Sequence, residues 1–211
     1  MRTYGPRACT VLYPIVQFTR SHASRTGLHR EELNILVHTR LTPEKNVDTV
    51  LRGFGMFVAS GKCRARLHVV GDGNCRSSLQ ELATELRVDT AVHFHGFLPQ
   101  TELNRIYELC EVFALLPIDE PFGMVFPEAA SRGLLLVGPN HGGPAEILEH
   151  GDLGFVVDAF APDELASVFE RIVALSDEQA HQLRERADRA CRARFAAATV
   201  GPQMVSAYGL S

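Results

Sequence analysis

The stretch EPFGMVFPEAASRGLLLVGPNHGG, from Glu120 to Gly143, decides how the rest of this chain reads. It sets two glutamates, Glu120 and Glu128, eight residues apart around a Phe-Gly turn. A small-residue helical segment, a buried strand and a second glycine loop at Gly142–Gly143 follow. That order puts carboxylates, free backbone N–H groups and flexible loops on one edge of a parallel sheet. A carboxylate accepts from two vicinal hydroxyls at once, and N–H groups at a helix start favour phosphate. Such an edge suits a sugar attached to a phosphate.

Outward from this stretch, short apolar runs alternate with amphipathic segments. Strands are expected over Leu33–His38, Arg66–Gly71, Ala91–His95, Val112–Leu115, Leu134–Val137 and Phe155–Val157. Their hydrophobicity is nearly continuous, as in strands covered on both faces. Helices are expected over Asn74–Arg87, with Asn74 placed to cap, over Thr101–Cys110 and over Asp163–Leu175, each with an apolar stripe. Further helices should begin near Phe122 and near Pro144, and a charged one follows Ser176. The implied fold is α/β: a Rossmann-like open parallel sheet with right-handed crossovers and helices on both faces. Its ligands would sit at the carboxyl ends of the strands. Residues 1–30 form a leading arm, 31–198 the domain, and 199–211 a weakly patterned tail.

Composition narrows the function classes. A chain of 211 residues is long enough for a real core, and 21 basic against 25 acidic residues make no case for a nucleic-acid surface. No apolar run reaches the ~18 residues that span a bilayer, and the N-terminus lacks a secretory layout. The five cysteines are scattered without a Cys-x-x-Cys pair, which points to reduced thiols and a cytoplasmic protein. Among the nine histidines, His93 and His95 alternate on one strand, but no third ligand is evident, so no metal site is expected. The run Arg184–Arg194 alternates with acids and reads as a solvated helix face, or alternatively as a peripheral contact with anionic lipid.

Three further motifs follow strands. In HTRLTPEKN, Arg40 and Lys45 flank a Pro-containing turn. They are either solvated loop charges or a pair converging on a diphosphate, Arg as a fork and Lys as a point charge. In VVGDGNCRSSL, Gly71 and Gly73 permit a tight turn or close approach of a ligand, but Arg76 stands where a dinucleotide fingerprint needs its third glycine. In PNHGGPAEIL, Gly142 and Gly143 precede a helix start, and His141 is a loop residue. Taken singly, the two glutamates are also compatible with capping and solvation, although neither explains the Phe-Gly between them.

Their order is more specific than any one of them. Together they resemble the C-terminal, donor-binding half of the retaining glycosyltransferases of the GT-B fold, family 4, from about Leu33 to Phe195. The resemblance implies that Arg40 and Lys45 bind the donor diphosphate and that Glu120 holds donor-sugar hydroxyls. It implies that Phe122, Gly123 and Met124 line the sugar and phosphate, and that Glu128 binds the ribose. Gly71, the loop residues Phe97 and Leu98 of FHGFLP, and Gly142–Gly143 complete the implied site. The substrate would be a UDP-, GDP- or ADP-linked sugar, with no further cofactor and no metal. The leaving diphosphate gains charge as the anomeric bond breaks, and two cations can stabilise it. Tyr13–Val16 looks like the linker between the family's two halves, and the segment after Phe195 like its return to the first half. The N-terminal acceptor half has no counterpart here and would be a partner domain or subunit. The rival expectation is a non-catalytic nucleotide-sugar-binding or scaffolding protein. An exposed apolar face along Val11–Phe18 and near Phe195 would favour the enzyme half, and packing of those residues on this domain the rival.

Overall fold

The computed structural model describes Ile15, Val16, Phe18, Gly27, Leu28 and residues 31–207. Strands β1 (Glu32–His38), β2 (Arg64–Val70), β3 (Val92–Gly96), β4 (Val112–Ala114), β5 (Leu135–Pro139) and β6 (Phe155–Val157) form one sheet. Their order is β3-β2-β1-β4-β5-β6, and all neighbours run parallel. Every strand read from the sequence is present, its ends within two residues of the expected ones. The chain winds outward from β1 to β3, returns to the centre at β4, and winds the other way to β6. The carboxyl ends of β1 and β4 therefore flank the point where strand order reverses, the usual crevice of such sheets.

Helices α1 (Val47–Ala59), α2 (Arg76–Glu85), α3 (Gln100–Leu109), α4 (Val125–Ser131), α5 (Gly142–Ile147), α6 (Pro162–Val173), α7 (Asp177–Phe195) and α8 (Ala197–Ala207) cover both faces. Right-handed crossovers put α1 and α2 on one face and α3, α4 and α5 on the other. α6 packs against α1, and α7 against α4. Phe57 and Phe169 meet across the α1–α6 contact with ring centroids 5.6 Å apart, and Phe113 of β4 meets Phe126 of α4 edge-on at 5.2 Å. These buried aromatics anchor the two layers to the sheet.

Several expectations change at helix ends. α1 carries no expectation from the sequence; its apolar stripe of Val47, Val50, Leu51, Phe54 and Phe57 is continuous and buried, but Gly53 and Gly55 lower its helix propensity. Gly53 lies where α6 crosses closely, and a Cβ there would stand 2.9 Å from the Pro162 carbonyl oxygen. Asn74 does not cap α2, which begins at Arg76 after Cys75 and has no side-chain cap. The helix expected near Phe122 begins at Val125, because Gly123 takes a left-handed φ of 68° and holds the preceding residues as a turn. α5 begins at Gly142, two residues before Pro144. Residues Ala197–Ala207, most of which fall in the weakly patterned tail, are helical.

The run Arg184–Arg194 is not a uniformly solvated face. Arg184 is buried and donates to the Gly27 carbonyl at 3.1 Å, and Arg192 pairs with Asp188 at 2.8 Å. Of the apolar arm, Val11–Pro14 and Gln17 lie outside the described residues. Val16 is buried and donates its N–H to the Phe195 carbonyl at 3.0 Å; Phe195 is buried as well. Phe18 is half-buried under the Arg192 guanidinium, and Ile15 is exposed.

Candidate functional site

The loops at the reversal point are built as one unit. After β1 the chain passes through Arg40 and a short 3-10 turn, Pro43–Lys45, to Asn46, which has a left-handed φ of 53°. Asn46 is buried, and its amide donates to the Leu116 carbonyl at 2.9 Å and to the Ala159 carbonyl at 2.7 Å. Its side-chain oxygen accepts from Thr49 at 2.9 Å. One side chain thus ties together the loops that follow β1, β4 and β6. Asparagine suits the position, since it tolerates the left-handed region and carries two donors. The Ile118 N–H, donating to the Glu44 carbonyl at 3.0 Å, closes the same seam.

Across this seam Lys45 Nζ donates to Glu120 Oε2 at 2.7 Å, with both side chains partly buried. Glu120 Oε1 accepts from the N–H of Gly123 at 3.0 Å and of Phe122 at 3.3 Å. Burial pushes the Glu120 carboxyl up, but Lys45 and these two N–H groups outweigh it and hold the group below its ordinary range. The Glu120 carbonyl accepts from the Gly143 N–H at 3.0 Å, which joins the second glycine loop to the first. Arg40 is exposed, and its guanidinium makes no hydrogen bond or ion pair among the described residues. The structure therefore brings Lys45, Glu120, Phe122, Gly123 and Gly142–Gly143 together at the end of β4. Phe122 is exposed and Met124 partly buried beside them.

Glu128 lies one turn into α4 in a different setting. Burial pushes its carboxyl up from the ordinary value, and the Arg132 guanidinium partly offsets that. Arg132 is buried, lies 4.4 Å from the centre of the Tyr107 ring, and donates to the Glu128 carbonyl at 3.1 Å. The Tyr107 hydroxyl is 2.9 Å from Nδ1 of His38, the last residue of β1. Burial and the charge of Arg132 lower the His38 pKa to about 4, so this imidazole is neutral near pH 7. Sequence reasoning passed over His38, Tyr107, Arg132 and Asn46. Only Asn46 carries a local signal, an Asn after a Pro-containing turn and directly before a helix.

The β2–β3 side of the edge is made mostly of backbone. Gly71 has φ of 124°, and a Cβ there would stand 1.8 Å from the Thr39 carbonyl oxygen. The close approach that Gly71 permits is thus that of the chain's own β1 loop. Arg76 donates to Asp72 at 3.0 Å and lies over Gly96, while Phe97 projects from the loop after β3 with 87% of its surface exposed. Leu98 is partly buried beside it. The edge from β3 to β4 crosses three inter-strand spacings, about 14 Å in all. Within strands β2 and β3, buried His68 stacks on His93 and His95 at 5.4 and 5.3 Å between ring centroids. A third imidazole therefore does stand beside the pair on β3. Even so, among the described residues no group of three or more His, Cys, Asp or Glu is arranged to hold a metal ion.

The sequence pattern described as "Glycosyl transferases group 1" matches residues 20–190. The chain belongs to that family. An uncharacterised glycosyltransferase of Methanocaldococcus jannaschii is 30% identical over 159 residues, covering 75% of this chain and 39% of that protein. The N-acetyl-alpha-D-glucosaminyl L-malate synthase of Bacillus anthracis is 28% identical over 180 residues, covering 84% of this chain and 46% of that enzyme. This family member thus spans less than half the length of either relative. Its fold is shared with HepE of Anabaena, solved in complex with UDP and glucose, at a TM-score of 0.75 and 22% identity. That match covers 85% of this chain and 48% of HepE. The parallel sheet with helices on both faces corresponds to one Rossmann-like half of a GT-B glycosyltransferase. Among the described residues no helix is long and apolar enough to cross a membrane.

Proposed function

We propose that this chain is the C-terminal, donor-binding half of a family 4 retaining glycosyltransferase that takes its sugar from a UDP-, GDP- or ADP-linked donor. The observation that carries the reading is the Lys45–Glu120 contact across the strand-order reversal. It joins a cation from the loop after β1 to a sugar-type carboxylate from the loop after β4, at the crevice where open α/β sheets take their ligands.

In this reading Arg40 and Lys45 hold the diphosphate and stabilise the charge it gains as the anomeric bond breaks. Glu120 accepts from donor-sugar hydroxyls, and Phe122, Gly123, Met124 and Gly142–Gly143 line the sugar and phosphate. Glu128 accepts from the ribose hydroxyls, with Arg132 fixing its turn of helix. The loop Phe97–Leu98 and the turn at Gly71 face the base through backbone groups. Transfer then requires an N-terminal half to bring the acceptor, as a further domain or a separate subunit. The scattered cysteines, without a Cys-x-x-Cys pair, support a reducing compartment such as the cytoplasm.

A second reading, a non-catalytic nucleotide-sugar-binding or scaffolding protein, has one observation in its favour. Val16 and Phe195 pack onto this domain and do not form an open apolar face. Calorimetric titration of the chain with UDP, GDP, ADP and their hexose conjugates, beside Arg40→Ala and Glu128→Ala, tests the site common to both. Saturable binding to one nucleotide sugar, weakened in both variants, is expected. A folded chain that binds none of them would overturn the reading. Sugar transfer on adding an acceptor-binding half would then favour the enzyme over the scaffold.

A further inference from the structure

The side chain read as holding the donor sugar is also the one that occupies the groups read as holding the diphosphate. Glu120 places one oxygen on Lys45 at 2.7 Å and the other on the N–H groups of Gly123 at 3.0 Å and Phe122 at 3.3 Å. These are the donors that a phosphate at the end of β4 would use. An ionised carboxylate has about four acceptor positions, and three are already filled here. A diphosphate set against Lys45 with Glu120 in place would bring two anions side by side, and like charges a few ångströms apart repel. Lys45 carries three donors but can share them between the two anions only against that repulsion, so the ligand competes with Glu120 for Lys45.

What the displaced carboxylate meets next depends on the ligand. A nucleotide sugar carries hydroxyl groups that can donate to both Glu120 oxygens, replacing the hydrogen bonds given up. A bare nucleoside diphosphate has no such donors at that place and leaves a partly buried carboxylate uncompensated, which is costly. Resting on the donor-site reading above, we propose that Glu120 is a built-in competitor for the diphosphate. It lets the site distinguish a nucleotide sugar from the nucleoside diphosphate left after transfer, and it favours release of that product. Its role goes beyond contacting the sugar, because the discrimination comes from its contacts with Lys45 and with the N–H groups of Phe122 and Gly123.

The test is a double-mutant cycle on Lys45 and Glu120, with the nucleoside diphosphate and its hexose conjugate titrated separately into each variant of the chain. Glu120→Gln removes the charge at nearly constant size. It should tighten binding of the bare diphosphate by about tenfold, the worth of one charged hydrogen bond released, while weakening binding of the conjugate. In the Lys45→Ala background the same substitution should no longer tighten the diphosphate, because there is no cation left to compete for. Glu120→Asp keeps the charge and should tighten far less, and melting curves of all variants confirm folding. If wild type binds the conjugate and Lys45→Ala weakens it, but Glu120→Gln binds the diphosphate no more tightly, the competitor role is wrong and the site stands. If wild type binds neither ligand, the donor-site reading fails and the competitor role with it.

Discussion

The two sides of the carboxyl edge are built by different means. On the β1–β4 side, charged and amide side chains do the joining: Lys45 to Glu120, and Asn46 to the loops after β4 and β6. On the β2–β3 side, the joining is mostly backbone against backbone, with the Arg76 side chain laid across it. Gly71 donates to the Gly96 carbonyl at 2.8 Å, and the Leu41 N–H to the Asp72 carbonyl at 3.0 Å. The first side therefore displays its chemistry as residue types, a cation and a carboxylate. The second displays almost none, since any side chain on the same backbone offers the same N–H and C=O groups. The diphosphate and sugar can be argued from this sequence for that reason, and the base cannot.

The comparison can be broken most sharply at Gly71. Gly71→Ala forces a Cβ onto the Thr39 carbonyl oxygen at a backbone angle that disfavours any side chain. It should cost more than about 3 kcal/mol in urea unfolding. A cost under about 1 kcal/mol would mean that the β1 and β2 loops are not locked by their backbones. Asn46→Ala removes two buried hydrogen bonds to carbonyls and the side chain suited to the left-handed region, so a loss of about 2–3 kcal/mol is expected in the same assay. Asn46→Asp should be no better, because a carboxylate would face two carbonyl oxygens.

Ligand affinity sharpens the contrast further. Arg40→Ala and Lys45→Ala should each weaken the nucleotide sugar by at least about tenfold. Phe97→Ala, on the backbone side, should weaken it less than about fivefold, as most contact residues do. Equal losses at Lys45 and Phe97 would abolish the distinction between the two sides.

The smallest expected effect is on pH dependence. His38 and His68 both have pKa values lowered by burial from 6.5 to about 4, so the unfolded chain binds more protons than the folded one between those values. Stability from these groups is full above about pH 6.5 and is lost as pH falls toward 4. Melting temperatures across that window should fall with acid, and His38→Gln with His68→Gln should flatten the slope. A slope unchanged in the double variant would contradict the burial of these imidazoles.

Most of the sheet was legible because its strands are buried on both faces and read as unbroken apolar runs, as in Ile35–Val37 and Leu135–Val137. α1 was not, since Gly53 serves a close helix crossing that only the folded chain reveals. Within the site, Glu120 and Glu128 were legible as residue types, but their different states were not. Glu120 meets a cation 75 positions earlier in the chain, and Glu128 is desolvated beside Tyr107 and Arg132. Contacts at such separation leave no local pattern. The delayed start of α4 has a local cause in Gly123, whose left-handed turn gives Glu120 its two N–H partners.

The most direct test of the central claim is a crystal structure of the chain grown with a nucleotide sugar. The account predicts the diphosphate between Arg40 and Lys45 at the ends of β1 and β4, with Lys45 parted from Glu120 and Glu120 turned to the sugar hydroxyls. A nucleotide sugar bound elsewhere, or bound with the Lys45–Glu120 pair intact, would contradict it.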